Sequence, residues 1–359
     1  MVSLAFTGGG TGGHIYPGLA IASYLKKNPA CRVFWIGSNE GMDRAIVEEA
    51  GLEFFGIPSG KFRRYFSLKN FSDIFKICAG YFAAKKILKK EKPALLFSKG
   101  GYVSVPPAAA AASLKIPVFA HESDFSPGLA TKINLRFVEK LFIPYKESET
   151  FFSPKVRGRL DVSGNPVRPE FRSADAGKGR AFLNINEGEP ILLVLGGSSG
   201  SLEINSLIEK SLPVLAGRYT VVHQTGSNSG GIKEAGPRYK PYAYFREELP
   251  HIIAAAELVV CRGGAGTIWE CAAIGKPMII IPLQGTGTRG DQVENARLFE
   301  KAGAAINLCD DPSPENLSRV VTGLSDDAEK RKAMSASSVS GIFAAEYIAG
   351  IIMRKAGVQ

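Results

Sequence analysis

His14 stands directly after a run of small residues, Gly8-Gly-Gly-Thr-Gly-Gly13, which itself follows the apolar stretch Val2–Phe6. An imidazole with an ordinary pKa near ~6.5 is mostly neutral around pH 7, so it can take the proton of an attacking hydroxyl. The competing reading is a structural histidine that caps its own loop. A second concentration of chemistry lies between Val259 and Pro282. There Val259 and Val260 close a buried strand, Arg262-Gly-Gly-Ala-Gly266 is a loop of small residues, and Thr267-x-x-Glu270 reads as a capping box opening a helix that Gly275-Lys-Pro277 stops. The capping box by itself accounts for Glu270. A strand that feeds a glycine loop and a helix N-terminus nevertheless aims unpaired N–H groups, and the positive end of the helix dipole, past the sheet edge, which suits a diphosphate. Gly196-Gly-Ser-Ser-Gly200 repeats the pattern after Ile191–Leu195, and Arg168 adds a fixed cation. With no Asp-x-Asp metal pair evident, these groups point to charge stabilisation by backbone dipoles and side chains.

Gly8-x-Gly10-x-x-Gly13 also matches the dinucleotide-binding fingerprint, so hydride transfer is a candidate chemistry. The acid that should meet the ribose at the end of the second strand is missing, since Gly37-Ser-Asn precedes Glu40. A histidine after the last glycine suits acid–base work better than cofactor binding.

The elements that must position these residues alternate regularly. Strands are expected at Val2–Phe6, Arg32–Ile36, Ala94–Phe97 and Val118–Ala120, with helices over Ile15–Lys27, over Met42–Ala50 and after Ser98-Lys-Gly-Gly-Tyr-Val-Ser104. Near Gly164-Asn-Pro-Val-Arg168 the strands pause, and the stretch to Gly179 reads as a linker region. The pattern resumes with strands at Ile191–Leu195, Tyr219–His223, Ala243–Phe245, Leu258–Cys261 and Met278–Ile281, and a last helix runs from about Ser340 to Lys355. The expectation is an α/β chain of two similar parallel-sheet domains, 1–164 and 165–340, with 341–359 a helix that could cross back onto the first.

At 359 residues, 45% hydrophobic and 22% charged, the chain is globular and long enough for two cores. Its five cysteines are scattered and lack metal-ligand spacing, which argues for a reducing compartment and against a disulfide frame. The amino terminus runs straight into a strand, and no apolar run reaches the ~18 residues of a bilayer span. The expectation is a cytoplasmic protein, or one attached to a membrane at its surface. Of the formal charge of +10, the segment Ser59–Pro93 supplies ten Lys/Arg against Asp73 and Glu91, interleaved with aromatics such as Phe75, Tyr81 and Phe82. That mixture suits anionic lipid or nucleic acid, or else a solvated helix with its aromatics turned inward. Lys85-Lys86 and Lys89-Lys90 at helical spacing favour a membrane face over the solvated helix.

Several of these motifs, in this order, resemble the MurG family of UDP-N-acetylglucosamine transferases: Gly9–His14 with Pro17-Gly-Leu-Ala20, Lys99-Gly-Gly-Tyr102, His121-Glu122 with Pro127-Gly-Leu-Ala130, Gly164–Arg168, Gly196-Gly-Ser198, Arg262–Glu270, and Asp291-Gln292 with Asn295-Ala296. The resemblance covers nearly the whole chain. It implies a GT-B fold, two Rossmann-like domains facing each other across a cleft, and inverting transfer of GlcNAc from UDP-GlcNAc to the MurNAc 4-hydroxyl of undecaprenyl-pyrophosphoryl-MurNAc-pentapeptide (lipid I), giving lipid II in peptidoglycan synthesis. No cofactor and no obligatory metal are implied.

On the residues that match, the resemblance makes His14 the catalytic base. It assigns the donor to Thr11, Gly12, Gly13, Asp124, Arg168, Ser198, Ser199, Phe245, Arg246, Ala265, Gly266, Thr267, Glu270, Asp291 and Gln292. Within that set Glu270 takes the ribose hydroxyls, Gln292 and Asp291 meet the GlcNAc hydroxyls, and Phe245 and Arg246 flank the uracil. The acceptor diphosphate falls to Gly10, Gly12, Gly13, Gly100 and Gly101. The implied partners are an undecaprenyl-linked lipid acceptor, the anionic cytoplasmic face of the membrane and other cell-wall enzymes, with no nucleic acid. The sequence departs from the family where His-Glu-Gln-Asn becomes His121-Glu-Ser-Asp124, where Gly-Gly-Ser-Gln-Gly becomes Gly196-Gly-Ser-Ser-Gly200, and where Gly266 replaces leucine. Asp124 matters most, because a carboxylate repels a diphosphate where an amide would donate; binding sugar hydroxyls or pairing with a lysine would resolve the conflict. A transferase of the same fold acting on diacylglycerol, and a sugar-nucleotide-binding scaffold without turnover, are the rival readings.

Overall fold

The computed structural model describes residues 1–60, 69–197, 200–226, 236–285, 290–338 and 344–358. Ser198, Ser199 and the part of the basic segment from 61 to 68 therefore lie outside the described residues. The chain divides into two compact units, Met1–Arg168 with Ile342–Gln359, and Pro169–Gly341.

The first unit is built on strands β1 (Val2–Thr7), β2 (Cys31–Ser38), β3 (Glu53–Ile57), β4 (Leu95–Ser98), β5 (Val118–His121), β6 (Lys140–Ile143) and β7 (Leu160–Val162). They pair in the order β3-β2-β1-β4-β5-β6-β7, and every pair is parallel. Helices cover both faces, which is why β1 and β4 are apolar on consecutive residues instead of alternating. On one face Phe6, Trp35, Phe97 and Phe142 form a row of buried rings. Each fully buried ring is worth roughly 1.5–3 kcal/mol relative to exposure. The same core takes Ile21 and Leu25 of the Tyr16–Lys26 helix and Ala345, Ile348, Ala349 and Ile352 of the Ala344–Lys355 helix. Lys355 pairs with Glu139 at 2.8 Å and Tyr347 donates to Asp161 at 3.0 Å, which fixes the terminal helix on this unit. The opposite face packs on Ala84 and Leu88 of the Lys69–Glu91 helix and on the alanines of Val105–Ser113.

The second unit repeats the plan with β8 (Ile191–Leu195), β9 (Thr220–Gln224), β10 (Tyr239–Tyr242), β11 (Leu258–Cys261), β12 (Met278–Ile280) and β13 (Ala305–Asn307), all parallel, in the order β10-β9-β8-β11-β12-β13. In both sheets the strand order reverses beside the first strand, between β1 and β4 and between β8 and β11. Such switch points open a crevice at the carboxyl ends of the strands.

Three local expectations are corrected. The β10 strand is Tyr239–Tyr242, and Ala243–Phe245 instead form the turn that follows it. The stretch up to Gly179 is not linker throughout, because Asp175 accepts a hydrogen bond from the N–H of Lys178 and caps a helix over Ala176–Leu183. The helix of the Arg262–Glu270 motif begins at Ala265 after an extended Gly264, with no side-chain cap. Thr267 is thus inside its first turn, and the capping box that would have explained Glu270 does not form.

Candidate functional site

In the first unit the chemistry gathers at the β1/β4 switch point. β1 delivers Gly8–Gly13 and a single 3-10 turn, Gly12–His14, whose last residue is the candidate base. The loop is held from below. Trp35 donates its indole N–H to the carbonyl of Gly8 at 3.0 Å, and the fully buried Asp43 accepts the N–H of Gly10 at 2.9 Å and that of Ser38 at 3.0 Å. Burial pushes the Asp43 carboxyl above its usual range, opposed by those two N–H donors. Gly10, Thr11 and Gly13 remain exposed.

His14 is half-buried and rests against Gly100 and Gly101, which β4 delivers. At Gly101 the backbone φ is +75°, and a Cβ there would lie 2.9 Å from Cδ2 of His14 and 2.6 Å from the carbonyl oxygen of Gly9. These glycines are therefore the seat of the imidazole. Arg168 lies in this unit too, its guanidinium 5.4 Å above the ring of Tyr16, two residues beyond His14.

The β5 end carries a buried polar cluster. His121 donates from Nε2 to the carbonyl of Gly164 at 3.0 Å, and burial, then the nearby Lys99 charge, drives its pKa well below the ordinary value, so it is neutral. Asn165 donates to the carbonyl of Ser123 at 2.9 Å, and Lys99 donates to the Ser123 hydroxyl at 2.8 Å. Asp124 follows, half-buried.

In the second unit the equivalent edge lies between β8 and β11. Arg262, 9% exposed, donates to the carbonyl of Ile281 at 3.2 Å, to the hydroxyl of Ser201 at 2.6 Å and to the carboxylate of Glu203 at 2.6 Å. Ser201 is also the N-cap of the Leu202–Leu215 helix, accepting the N–H of Ile204. The arginine thus locks the end of the Gly196–Gly200 loop to the Arg262 loop. Gln224 makes a second tie: its amide donates to the carbonyl of Gly197 at 3.1 Å and accepts the N–H of Phe245 at 3.0 Å.

The N-terminus of the Ala265–Ala273 helix offers the exposed Gly266 and the half-buried Thr267 and Glu270, with Ala265 buried beneath them. Beside it starts the Asp291–Lys301 helix. A Cβ at Gly263 would lie 2.3 Å from the carbonyl oxygen of Gln292, and the buried Asn295 donates to the carbonyl of Gly263 at 3.1 Å, so the two helix starts are pressed together. Gln292 accepts the N–H of Leu283 through its side-chain oxygen at 3.0 Å. The ring of Phe245 is core, 2% exposed and 4.8 Å from that of Tyr242, whereas Arg246 is exposed.

The residues expected at the donor therefore separate. Thr11, Gly12, Gly13, Asp124 and Arg168 stand in the first unit, and Phe245, Arg246, Ala265, Gly266, Thr267, Glu270, Asp291 and Gln292 in the second. Sequence reasoning assigned no part to Asp43 or Gln224, and none to Lys99, Arg262 or Asn295 beyond the motifs that carry the resemblance. The signal for Asp43 was an acid in the first turn after β2; the others had none besides their place next to a glycine loop.

The glycosyltransferase family 28 N-terminal domain matches residues 4–143, and the family 28 C-terminal domain matches residues 191–349. A Treponema denticola relative named UDP-N-acetylglucosamine–N-acetylmuramyl-(pentapeptide) pyrophosphoryl-undecaprenol N-acetylglucosamine transferase is 47% identical over 90% of this chain and 88% of its own. A Clostridium botulinum relative with the same name is 43% identical over 86% of each. The crystal structure of Acinetobacter baumannii MurG superposes with a TM-score of 0.73 at 23% identity, covering 99% of this chain and 100% of that one. Two Rossmann-like parallel sheets in that pairing are the GT-B fold.

Proposed function

The chain belongs to glycosyltransferase family 28, in the MurG family, and from that premise we propose that it moves GlcNAc from UDP-GlcNAc to the MurNAc 4-hydroxyl of lipid I, forming lipid II. The observation that carries the reading is near-half identity, over nine-tenths of the chain, to a relative that bears this activity in its name. His14 takes the hydroxyl proton as the oxygen attacks C1 of GlcNAc. The bond from C1 to the diphosphate breaks, its electron pair leaves with UDP, and C1 inverts. The helix starts at Leu202 and Ala265 stabilise the leaving diphosphate, and Glu270, no longer needed as a cap, accepts the ribose hydroxyls. Asp291 and Gln292 meet the sugar. In the first unit the N–H groups of Thr11, Gly12 and Gly13 face the acceptor diphosphate, with Gly10 held behind them by Asp43 and Arg168 beside them. No resident metal takes part in this scheme.

The acceptor's lipid places the enzyme at an anionic membrane surface, on the cytoplasmic face where UDP-GlcNAc is found. No helix among the described residues is long and apolar enough to cross a membrane. On Lys69–Glu91, however, Ile74, Phe75 and Phe82 are exposed on the same outward side as Lys86, Lys89 and Lys90. An apolar wedge among cations suits insertion between anionic headgroups.

The test is UDP release from UDP-GlcNAc with a soluble lipid I analogue, for wild type, His14→Ala and Glu270→Ala. Acceptor-dependent turnover, lost in rate by the first variant and in donor affinity by the second, is expected. Turnover with diacylglycerol instead would move the enzyme to another pathway, and UDP-GlcNAc binding without turnover on any acceptor would make it a scaffold.

A further inference from the structure

Strand β9 ends in polar side chains that are closed off from solvent: His223, Gln224 and Thr225 are at most 6% exposed. β9 lies between β8 and β10, and Gln224 stands in register with Leu195 on one side and Tyr242 on the other. It is therefore placed between the loop that follows β8 and the turn that follows β10, and its amide reaches both. Nε2 donates to the carbonyl of Gly197 at 3.1 Å, while Oε1 accepts the N–H of Phe245 at 3.0 Å.

The turn is the fixed end of this bridge. The Phe245 ring is core, with the rings of Tyr242 and Phe182 at 4.8 and 6.4 Å. The N–H groups of Thr225 and Gly226 also donate to the carbonyls of Tyr242 and Ala243, at 2.9 and 3.1 Å. The loop is the end that is held. A Cβ at Gly197 would meet nothing within 4 Å, and its carbonyl is taken by two donors, the Gln224 amide and the N–H of Gly200 at 3.1 Å. A carbonyl oxygen has two lone pairs, so neither is left to face the oxygens of a phosphate. Gly200 in turn closes on β9, where a Cβ would come within 2.2 Å of the carbonyl of Thr225. Both described ends of the loop thus lean on the last residues of β9.

We propose that Gln224 is a positioning residue for the nucleoside diphosphate: its amide fixes the loop after β8 to the rigid turn after β10 and so pre-sets the loop for the second phosphate. An amide of this length is suited to the task because it offers a donor and an acceptor from one plane. The inference rests on the nucleotide-donor reading above.

The test compares wild type, Gln224→Met, Gln224→Asn and Thr225→Val. Each is measured for calorimetric Kd with UDP and with UMP, for the kinetics of UDP release, and for melting temperature. UMP lacks the second phosphate, so the ratio of the two Kd values reads that phosphate alone. Gln224→Met keeps the length and loses both bonds; its Kd for UDP rises about tenfold or more while that for UMP moves less than about threefold. KM for UDP-GlcNAc rises with it, and kcat and the KM for the lipid I analogue stay within about threefold. Thr225→Val removes the hydroxyl bond to the carbonyl of Tyr242 from the same strand end and leaves the amide bridge, so it lowers the melting temperature and keeps the ratio. Gln224→Asn, one methylene shorter, cannot span both partners and loses the ratio as well, which decides the matter if Gln224→Met does not fold. A wild-type ratio in either Gln224 variant overturns the proposal, as does an equal loss of the ratio in Thr225→Val, which would make the effect one of stability. A wild type that binds neither nucleotide overturns the functional reading and the proposal with it; one that binds UDP while the Gln224 variants keep its ratio overturns the proposal alone.

Discussion

Asp43 and Gly10, 33 residues apart in the chain, are joined by a 2.9 Å hydrogen bond from the glycine N–H to a fully buried carboxylate. The other oxygen of the same carboxylate takes the N–H of Ser38, so one side chain ties the Gly8–Gly13 loop to the end of β2. Asp43→Ala leaves two N–H donors without acceptors, at about 1–3 kcal/mol each if both stay buried. Asp43→Asn supplies one oxygen and turns an NH2 toward the second donor. Turnover is expected to fall in the order wild type, Asn, Ala, with the alanine variant down about 10–100-fold because a loose loop misplaces His14. UDP binding, measured calorimetrically, is expected to stay unchanged. Wild-type turnover in Asp43→Ala would show that the tie does not position the base.

Arg262 should separate in the opposite sense. Its guanidinium makes three bonds to two different segments from a nearly closed site, a geometry a single ammonium cannot reproduce. Arg262→Lys is expected to weaken UDP affinity about tenfold and Arg262→Met further, since charge-assisted bonds of this kind are worth about 1.5–3 kcal/mol. The KM for the acceptor is the control. A variant that lost acceptor KM and kept UDP affinity would contradict the assignment of these loops to the nucleotide.

A pH dependence of stability follows from His223. It is fully buried on β9, with Nδ1 3.0 Å from the hydroxyl of Tyr239, and burial pushes its pKa to about 4. The folded value lies below the ordinary one, so the unfolded chain binds the proton more tightly. The stability this group contributes is present above about pH 6.5 and is lost as pH falls toward 4, an effect of about 3 kcal/mol. Urea midpoints between pH 7 and 4 should therefore fall more steeply for wild type than for His223→Gln. Parallel slopes would mean that the imidazole takes up its proton as readily in the folded chain as in the unfolded one.

Much of this architecture is legible because glycine loops and β-branched runs obey local rules. Ile191–Leu195 and Leu258–Cys261 are strands with the expected bounds, and the loops that follow them mark the switch points. What escaped were β3, β6, β7 and β13, three to five residues each, too short for a periodic signal and stabilised by their neighbours in the sheet. At the candidate site, a side chain that faces solvent-accessible space announces itself by type and motif, as His14 and Glu270 do. Those that hold the loops do not. Asp43, Arg262 and Gln224 act through partners 33, 61 and 27 residues away, and no spacing rule spans such separations. The Thr267-x-x-Glu270 pattern shows the converse failure: the local rule was satisfied in sequence, but the packing of Gly263 against Gln292 accompanies a helix whose cap stands three residues earlier, at Gly264.

Gly101 gives the sharpest test of the base. An alanine there meets two penalties: the backbone φ of +75° costs a side-chain-bearing residue about 1 kcal/mol, and the new methyl lies 2.6 Å from a backbone oxygen and 2.9 Å from the His14 ring. A backbone oxygen has little room to give, so the imidazole must turn. Gly41 separates the two effects, since its φ is +91° and a Cβ there meets nothing within 4 Å. Gly41→Ala is expected to lower the melting temperature slightly and keep kcat. Gly101→Ala is expected to lower kcat about 100-fold, in line with losing a general base, while UDP affinity, carried in the proposed scheme by the helix starts and Glu270 of the second unit, is expected to hold. If Gly101→Ala retained kcat within about twofold while folding normally, the His14 ring would not need its seat, and the base would have to be sought elsewhere on the β1/β4 edge.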